Sequence, residues 1–227
     1  MMKKLLSICG IGLFMISMLG ACSLFGSNKE PLNGLMLLGE EQTLKKIETE
    51  HKKEINSAAY YKIKQVEYDG EQAFIMDKET AKKVMDRGIL RKRDNSNDTI
   101  SSAPLFSLPA SKKEEGILFA HKDKKDVKTV ILNGTNVNVK YDSDTWFGHM
   151  REKFNKIIVI VDNSKFQKIP ATEIDMSIVE LNKGYGENKP SSSDNVEGVQ
   201  NASEFEKLVR NMESDVIRLM PISIIKK

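Results

Sequence analysis

The sequence predicts an α+β fold, a mixed and largely antiparallel sheet with several short helices. Three observations carry this. Short apolar runs such as residues 157–161 recur between polar turns, Asn133-Gly134 joins two alternating runs, and stretches of helical spacing fall irregularly between them. The chain has 227 residues, enough for one large domain or two small ones. With 40% hydrophobic and 30% charged residues it is neither collagen-like nor disordered throughout. A net charge of +3 is far from the strongly basic balance of a dedicated nucleic-acid binder, so nucleic acid is not an expected partner.

The first element is an address. Lys3 and Lys4 form a positive n-region, residues 5–18 form an apolar h-region, and small residues follow, so residues 1–21 read as a signal peptide. The apolar run is shorter than the ~20 residues a spanning helix needs. Leu19-Gly20-Ala21-Cys22 resembles the lipobox of bacterial prolipoproteins. That resemblance implies a diacylglyceryl group on the sulfur of Cys22, cleavage just before it, and acylation, such as palmitate, of the new terminus. Two acyl chains pass the threshold for stable membrane attachment that one chain misses. Removing residues 1–21 takes away Lys3, Lys4 and Cys9 and leaves 33 basic against 32 acidic residues. The remaining cysteine is then the lipidated one, so no disulfide or thiolate metal site is expected in the body.

Residues 22–34, with Gly26, Ser27, Pro31 and Gly34, read as a lipidated tether, and residues 35–227 as the globular α+β domain. Residues 35–38 form a short apolar strand. Residues 40–56 carry Leu44, Ile47, His51 and Ile55 at helical spacing, an exposed amphipathic helix. Residues 60–68 alternate as a strand, Asp69-Gly70 turns the chain, and residues 72–76 return. Asp77 then caps a helix from Lys78 to Asp86 that ends at Gly88. Residues 92–102 are polar and read as a loop, with two lobes possible on either side of residues 94–102. Residues 105–108 and 116–121 are short strand candidates.

Asn133-Gly134 suits a type I′ turn, because both central residues need positive φ. Its register pairs Val130 with Val137 and gathers Val130, Leu132, Val137, Val139 and Tyr141 on one face. Residues 145–154, with Trp146, Phe147, Met150 and Phe154, are expected to be helical. Residues 157–161 are continuously apolar, as in a strand buried on both faces. A helical turn at 164–169, a strand at 174–181 and a long polar loop at 183–200 follow. Phe205, Leu208, Val209 and Met212 form the core-facing stripe of a C-terminal helix, and residues 216–225 close the chain as a strand. Residues 73–86 and 158–168 both run apolar strand, Asp, short helix, a faint internal similarity.

Asp77 and Asp162 are weak ligand candidates, since both end apolar strands, where open sheets favour ligands; capping the next helix is the simpler explanation of each, since an N-cap needs no further partner. His51 lies one helical turn from Glu54 and from Glu48, but no His-Glu-x-x-His arrangement is present, and neither metal nor cofactor is expected. There is no Gly-x-Ser-x-Gly elbow and no phosphate-binding glycine loop. The basic runs Arg91-Lys92-Arg93 and Lys122, Lys124, Lys125 lie among acids, so each reads as solvated surface.

Together with Cys22, the stretches Lys156-Ile-Ile-Val-Ile-Val-Asp162 and Ile169-Pro-Ala-Thr-Glu-Ile-Asp175 resemble uncharacterised lipoproteins of Gram-positive bacilli. The resemblance implies no particular activity and no catalytic residues. The expectation is a lipid-anchored module on the extracytoplasmic face of the cell membrane that binds a protein, a wall polymer or a small ligand. The alternative is an extracytoplasmic hydrolase with a dispersed Asp, Glu, Ser and His site. A solute-binding subunit is disfavoured, because such proteins need two larger lobes.

Overall fold

A computed structural model describes residues 30–94, 101–112, 114–149, 157–185 and 196–225. Cys22 and the signal segment lie outside them. The first strand, β1 (Leu32–Gly39), begins inside the segment expected as tether, because Leu32, Leu35 and Leu37 are buried. Helix α1 (Glu41–Glu50) buries Leu44 and Ile47 and is shorter than expected. Ile55 does not continue its stripe but starts β2 (Ile55–Tyr68), where it is paired with Leu181. Asp69 and Gly70, both at positive φ, turn β2 into β3 (Glu71–Asp77), and α2 (Lys78–Asp86) follows.

The polar stretch after α2 departs from expectation. Leu90–Asp94 forms β4 and Ser101–Pro104 forms β5, and the two pair antiparallel. A charged run hides this strand because its burial is polar, with Arg91 only 2% exposed. Residues 105–108, expected as a strand, are irregular; Leu105 and Leu108 pack onto the core from a loop. Next come β6 (Gly116–Phe119) and the hairpin β7 (Thr129–Leu132) and β8 (Thr135–Ser143), in the register expected. Asn133 and Gly134 have φ of 44° and 81°, the I′ geometry.

Thr145–Phe147 is a strand, β9, where a helix was expected. Adjacent Trp146 and Phe147 are both buried, and in a strand, where neighbouring side chains point to opposite faces, this means cover on both sides. Gly148 (φ 69°) ends it; a Cβ there would lie 2.6 Å from the sulfur of Met220. Residues 150–154 of the expected helix lie outside the described residues. The strand β10 (Ile157–Val161), α3 (Asn163–Lys168) and β11 (Thr172–Tyr185) follow. Strand β11 runs on through Lys183 to Tyr185, and α4 (Val196–Glu213) starts at Val196, so both ends of the expected loop are regular structure. The chain closes with β12 (Arg218–Ile222).

These strands form a nine-stranded sheet in the order β12-β1-β11-β2-β3-β10-β6-β8-β7 and a small sheet β5-β4-β9. Two pairs, β3/β10 and β6/β8, are parallel and the rest are antiparallel. One face of the large sheet packs Met36, Ile63, Phe74, Met76 and Ile160 against α2 and against Leu90 and Phe147 of the small sheet. The other face is covered at one end by α1 and α4, and at the other by α3 and the curl of β7 and β8. Lys64, buried between these two covers, donates to the carbonyls of Phe166 and Ile169 at 2.8 Å and so caps the C-terminus of α3.

The two ends of the described chain are fastened together. Glu30 accepts from Arg91 at 2.7 Å, and Arg91 also donates to the hydroxyl and carbonyl oxygens of Ser102. Ser223 donates to the Pro31 carbonyl and lies 2.6 Å from His149 Nε2, while Asn33 exchanges two hydrogen bonds with the backbone of Ile224.

Candidate functional site

Strands β3 and β10 are parallel neighbours with Val161 opposite Asp77, so the two similar strand-Asp-helix units lie side by side and bring Asp77 and Asp162 to one end of the sheet. Their carboxylates have different duties. Asp77 accepts from the Glu79 and Thr80 amides at 2.8 and 2.9 Å and from the Thr80 hydroxyl at 2.7 Å, a full N-cap of α2. Asp162 sits at the N-cap position of α3 without a side-chain cap. Its carboxylate pairs with Lys78 at 2.7 Å and accepts from the Glu114 amide, and the Lys78 ammonium holds its pKa below the ordinary value. Among the described residues, no three His, Cys, Asp or Glu side chains come together as a metal cage. Asp77→Ala should therefore cost about 1 kcal/mol, read as a shift in denaturant midpoint. Asp162→Ala should cost less, since an exposed pair contributes at most about 1 kcal/mol.

At the opposite end of the sheet, because β10 and β6 are antiparallel, a cleft opens beyond the carboxyl ends of β6 and β8. Such an end of a parallel pair is where open sheets leave a crevice. His121 and Lys122 follow β6, Tyr141 to Asp144 leave β8 on the way to β9, and Lys92 and Arg93 of β4 form the third side; together they line about 550 Å³. Two backbone bonds frame it, Arg93 N to the Asp144 carbonyl at 2.8 Å and Ala120 N to the Ser143 carbonyl at 3.1 Å.

The charges in this cleft differ in how firmly they are held. Arg93 Nε donates to Asp144 at 2.7 Å, and its guanidinium lies 5.6 Å from the centre of the buried Trp146 ring, so it is fixed on two sides. Lys92 and Lys122 are exposed and share the lining with Asp142 and Asp144. Lys124, from the same basic run, is instead held by Asp69. His121 Nδ1 lies 2.8 Å from Asp123, and that bond draws the Asp123 carboxyl below its ordinary pKa. Ser143 donates to Asp142 at 2.6 Å and lies 3.0 Å from the Thr145 hydroxyl. Three cations line the cleft against two carboxylates, of which Asp144 is held by Arg93 and Asp142 accepts from Ser143, a balance that suits an anion. Acyl transfer finds less support: His121 has an orienting carboxylate, but the Ser143 hydroxyl is turned to Asp142.

The other histidines are structural in their surroundings. His51 faces Glu54 at 3.9 Å, while Glu48 is taken up by the Tyr60 hydroxyl. His149 belongs to the fastening of the chain ends. Nothing local in the sequence announces the cleft, whose basic residues lie in two separate runs among acids. Residues 92–93 and 121–122 meet only because β4 pairs with β9 and β6 pairs with β8, and no local spacing encodes that.

A strand-rich α+β body behind a lipobox-like segment places the chain among lipoproteins. It belongs to the family described as an uncharacterised lipoprotein family, whose model matches residues 32–207. The fold is similar to that in a 1.5 Å crystal structure of a Bacillus anthracis protein described as a lipoprotein. The two share 20% sequence identity with a TM-score of 0.66, covering 85% of this chain and 99% of that one. No curated protein matches the chain. No helix among the described residues is long and apolar enough to cross a membrane.

Proposed function

We propose that the protein is a binding module, held on the extracytoplasmic face of the cell membrane by lipid on Cys22, that takes an anionic ligand in the cleft between β4, β6 and β8. The observation that supports this reading is the convergence of Lys92, Arg93 and Lys122 on one concave site. A multiply charged anion, such as a phosphate-bearing wall polymer or a small phosphorylated solute, would engage the fixed Arg93 and recruit the two lysines. Hydrogen bonds in which both partners are charged are the strong ones, and Asp144 already holds the guanidinium in place.

The test titrates the full chain in detergent with a soluble phosphodiester polymer and with inorganic phosphate. Saturable binding that weakens with salt is expected, and Lys92→Glu with Lys122→Glu should lower affinity at least about tenfold without moving the unfolding midpoint. Binding that is absent, or unchanged in the double variant, removes the cleft as the site. Anchoring is read separately. Cys22→Ala should abolish lipid-dependent membrane attachment, and an acylated N-terminal peptide found in that variant would refute the assignment.

A further inference from the structure

We propose that the loop 104–112 is a membrane-contacting element, with Phe106 entering the interface of the bilayer that holds the lipid on Cys22. This rests on the lipid anchoring proposed above.

The loop reads Pro-Leu-Phe-Ser-Leu-Pro-Ala-Ser-Lys, with six apolar residues in its first seven and Lys112 at its end. Leu105 and Leu108 pack back onto the core, and Leu105 N donates to the Leu90 carbonyl at 2.8 Å. These two residues fix the loop and turn Phe106 outward at 66% exposure, the highest of any large apolar side chain among the described residues. Covering the exposed phenyl ring, already fixed on an apolar loop, would remove apolar surface from water at little further ordering cost.

The length and end point of the preceding chain say what covers it. Glu30 is bound by Arg91, and Arg91 lies opposite Pro104 in the β4–β5 pair, two residues before Phe106. The polypeptide from the membrane therefore enters beside this loop. Glu30 stands eight positions after Cys22, a reach of at most about 28 Å even when fully extended. Each shorter conformation brings the loop closer to the headgroups. An exposed aromatic on a loop that ends in an exposed lysine suits an interface containing anionic lipid, the ring at the acyl boundary and the ammonium among phosphates.

The experiment places the lipidated full chain on vesicles of phosphatidylglycerol and phosphatidylcholine in equal parts. It compares Phe106→Trp with Ile131→Trp, an exposed position on β7, and uses the unsubstituted chain with its buried Trp146 as blank. With lipids brominated in the acyl chains, Phe106→Trp should shift to the blue and lose most of its emission, while Ile131→Trp keeps its own. Amides of Leu105 to Leu108 in the unsubstituted chain should exchange hydrogen more slowly on vesicles than in detergent, a readout needing no substitution. Vesicle flotation separates the two readings. A chain that fails to float removes the anchor. A chain that floats with Phe106→Trp unquenched and unprotected amides overturns the docking proposal and leaves a protein partner for the loop. Equal quenching at both positions overturns it too, because the loop would then have no preferred contact.

Discussion

Phe205→Ala is expected to destabilise the protein by about 3–5 kcal/mol, the range for emptying an aromatic site in a core that cannot collapse around it. Phe205 is 3% exposed on α4 and its ring lies 4.9 Å from that of Tyr185 at the end of β11. It packs with Leu208, Val209 and Met212 of its own helix, with Leu44 and Ile47 of α1, and with Leu35 and Leu37 of β1. Among the described residues these elements cover that end of the sheet, so the cavity would open where helices meet strands rather than at a surface that water can fill. The comparison is Ile131→Ala, whose side chain is 58% exposed and should change stability by no more than about 0.5 kcal/mol. Denaturant midpoints of the two variants decide it: equal midpoints would mean that α4 does not cover the sheet.

Acidification from pH 6.5 towards pH 4 should weaken the fold by as much as about 3 kcal/mol, through His149. Burial lowers its pKa from 6.5 to about 4, assisted by the nearby Arg91 cation and opposed by Glu30. Between these values the unfolded chain binds a proton that the native chain refuses, so stability falls as pH falls through this window and is fully present above it. Ser223 spends its proton on the Pro31 carbonyl, so neutral His149 donates from Nε2 to the Ser223 oxygen. His149→Gln keeps a donor and loses the titration, so its midpoint should be flat where the unsubstituted protein declines. Parallel profiles would show that His149 carries none of the pH dependence. Because Pro31 and Glu30 lie where the tether enters, the same acidification should loosen the N-terminal fastening before the sheet.

Much of the architecture was legible wherever a local rule had no competitor. Asp77 before a short amphipathic run, Asn133-Gly134 between alternating runs, and the stripe of Phe205, Leu208, Val209 and Met212 all stand where expected. The misreadings share a cause. Trp146 and Phe147 suggested a helix because their spacing was weighed without knowing that both faces would be covered, and residues 90–94 suggested a loop because Arg91 is buried against Glu30 and Ser102 rather than solvated.

The lipobox-like segment ending at Cys22, the α+β class, and the turn and cap positions all follow from residues near one another in the chain. The pairing of β3 with β10 and of β6 with β8 emerges only when the whole chain has folded. The first pairing puts Asp77 beside Asp162 and then occupies each with an amide cap or with Lys78. The second pairing, with β4 laid against β9, assembles Lys92, Arg93 and Lys122 into one cleft. Strand pairing between segments tens of residues apart is chosen by the burial of whole faces, a sum over many residues, so no single motif announces it.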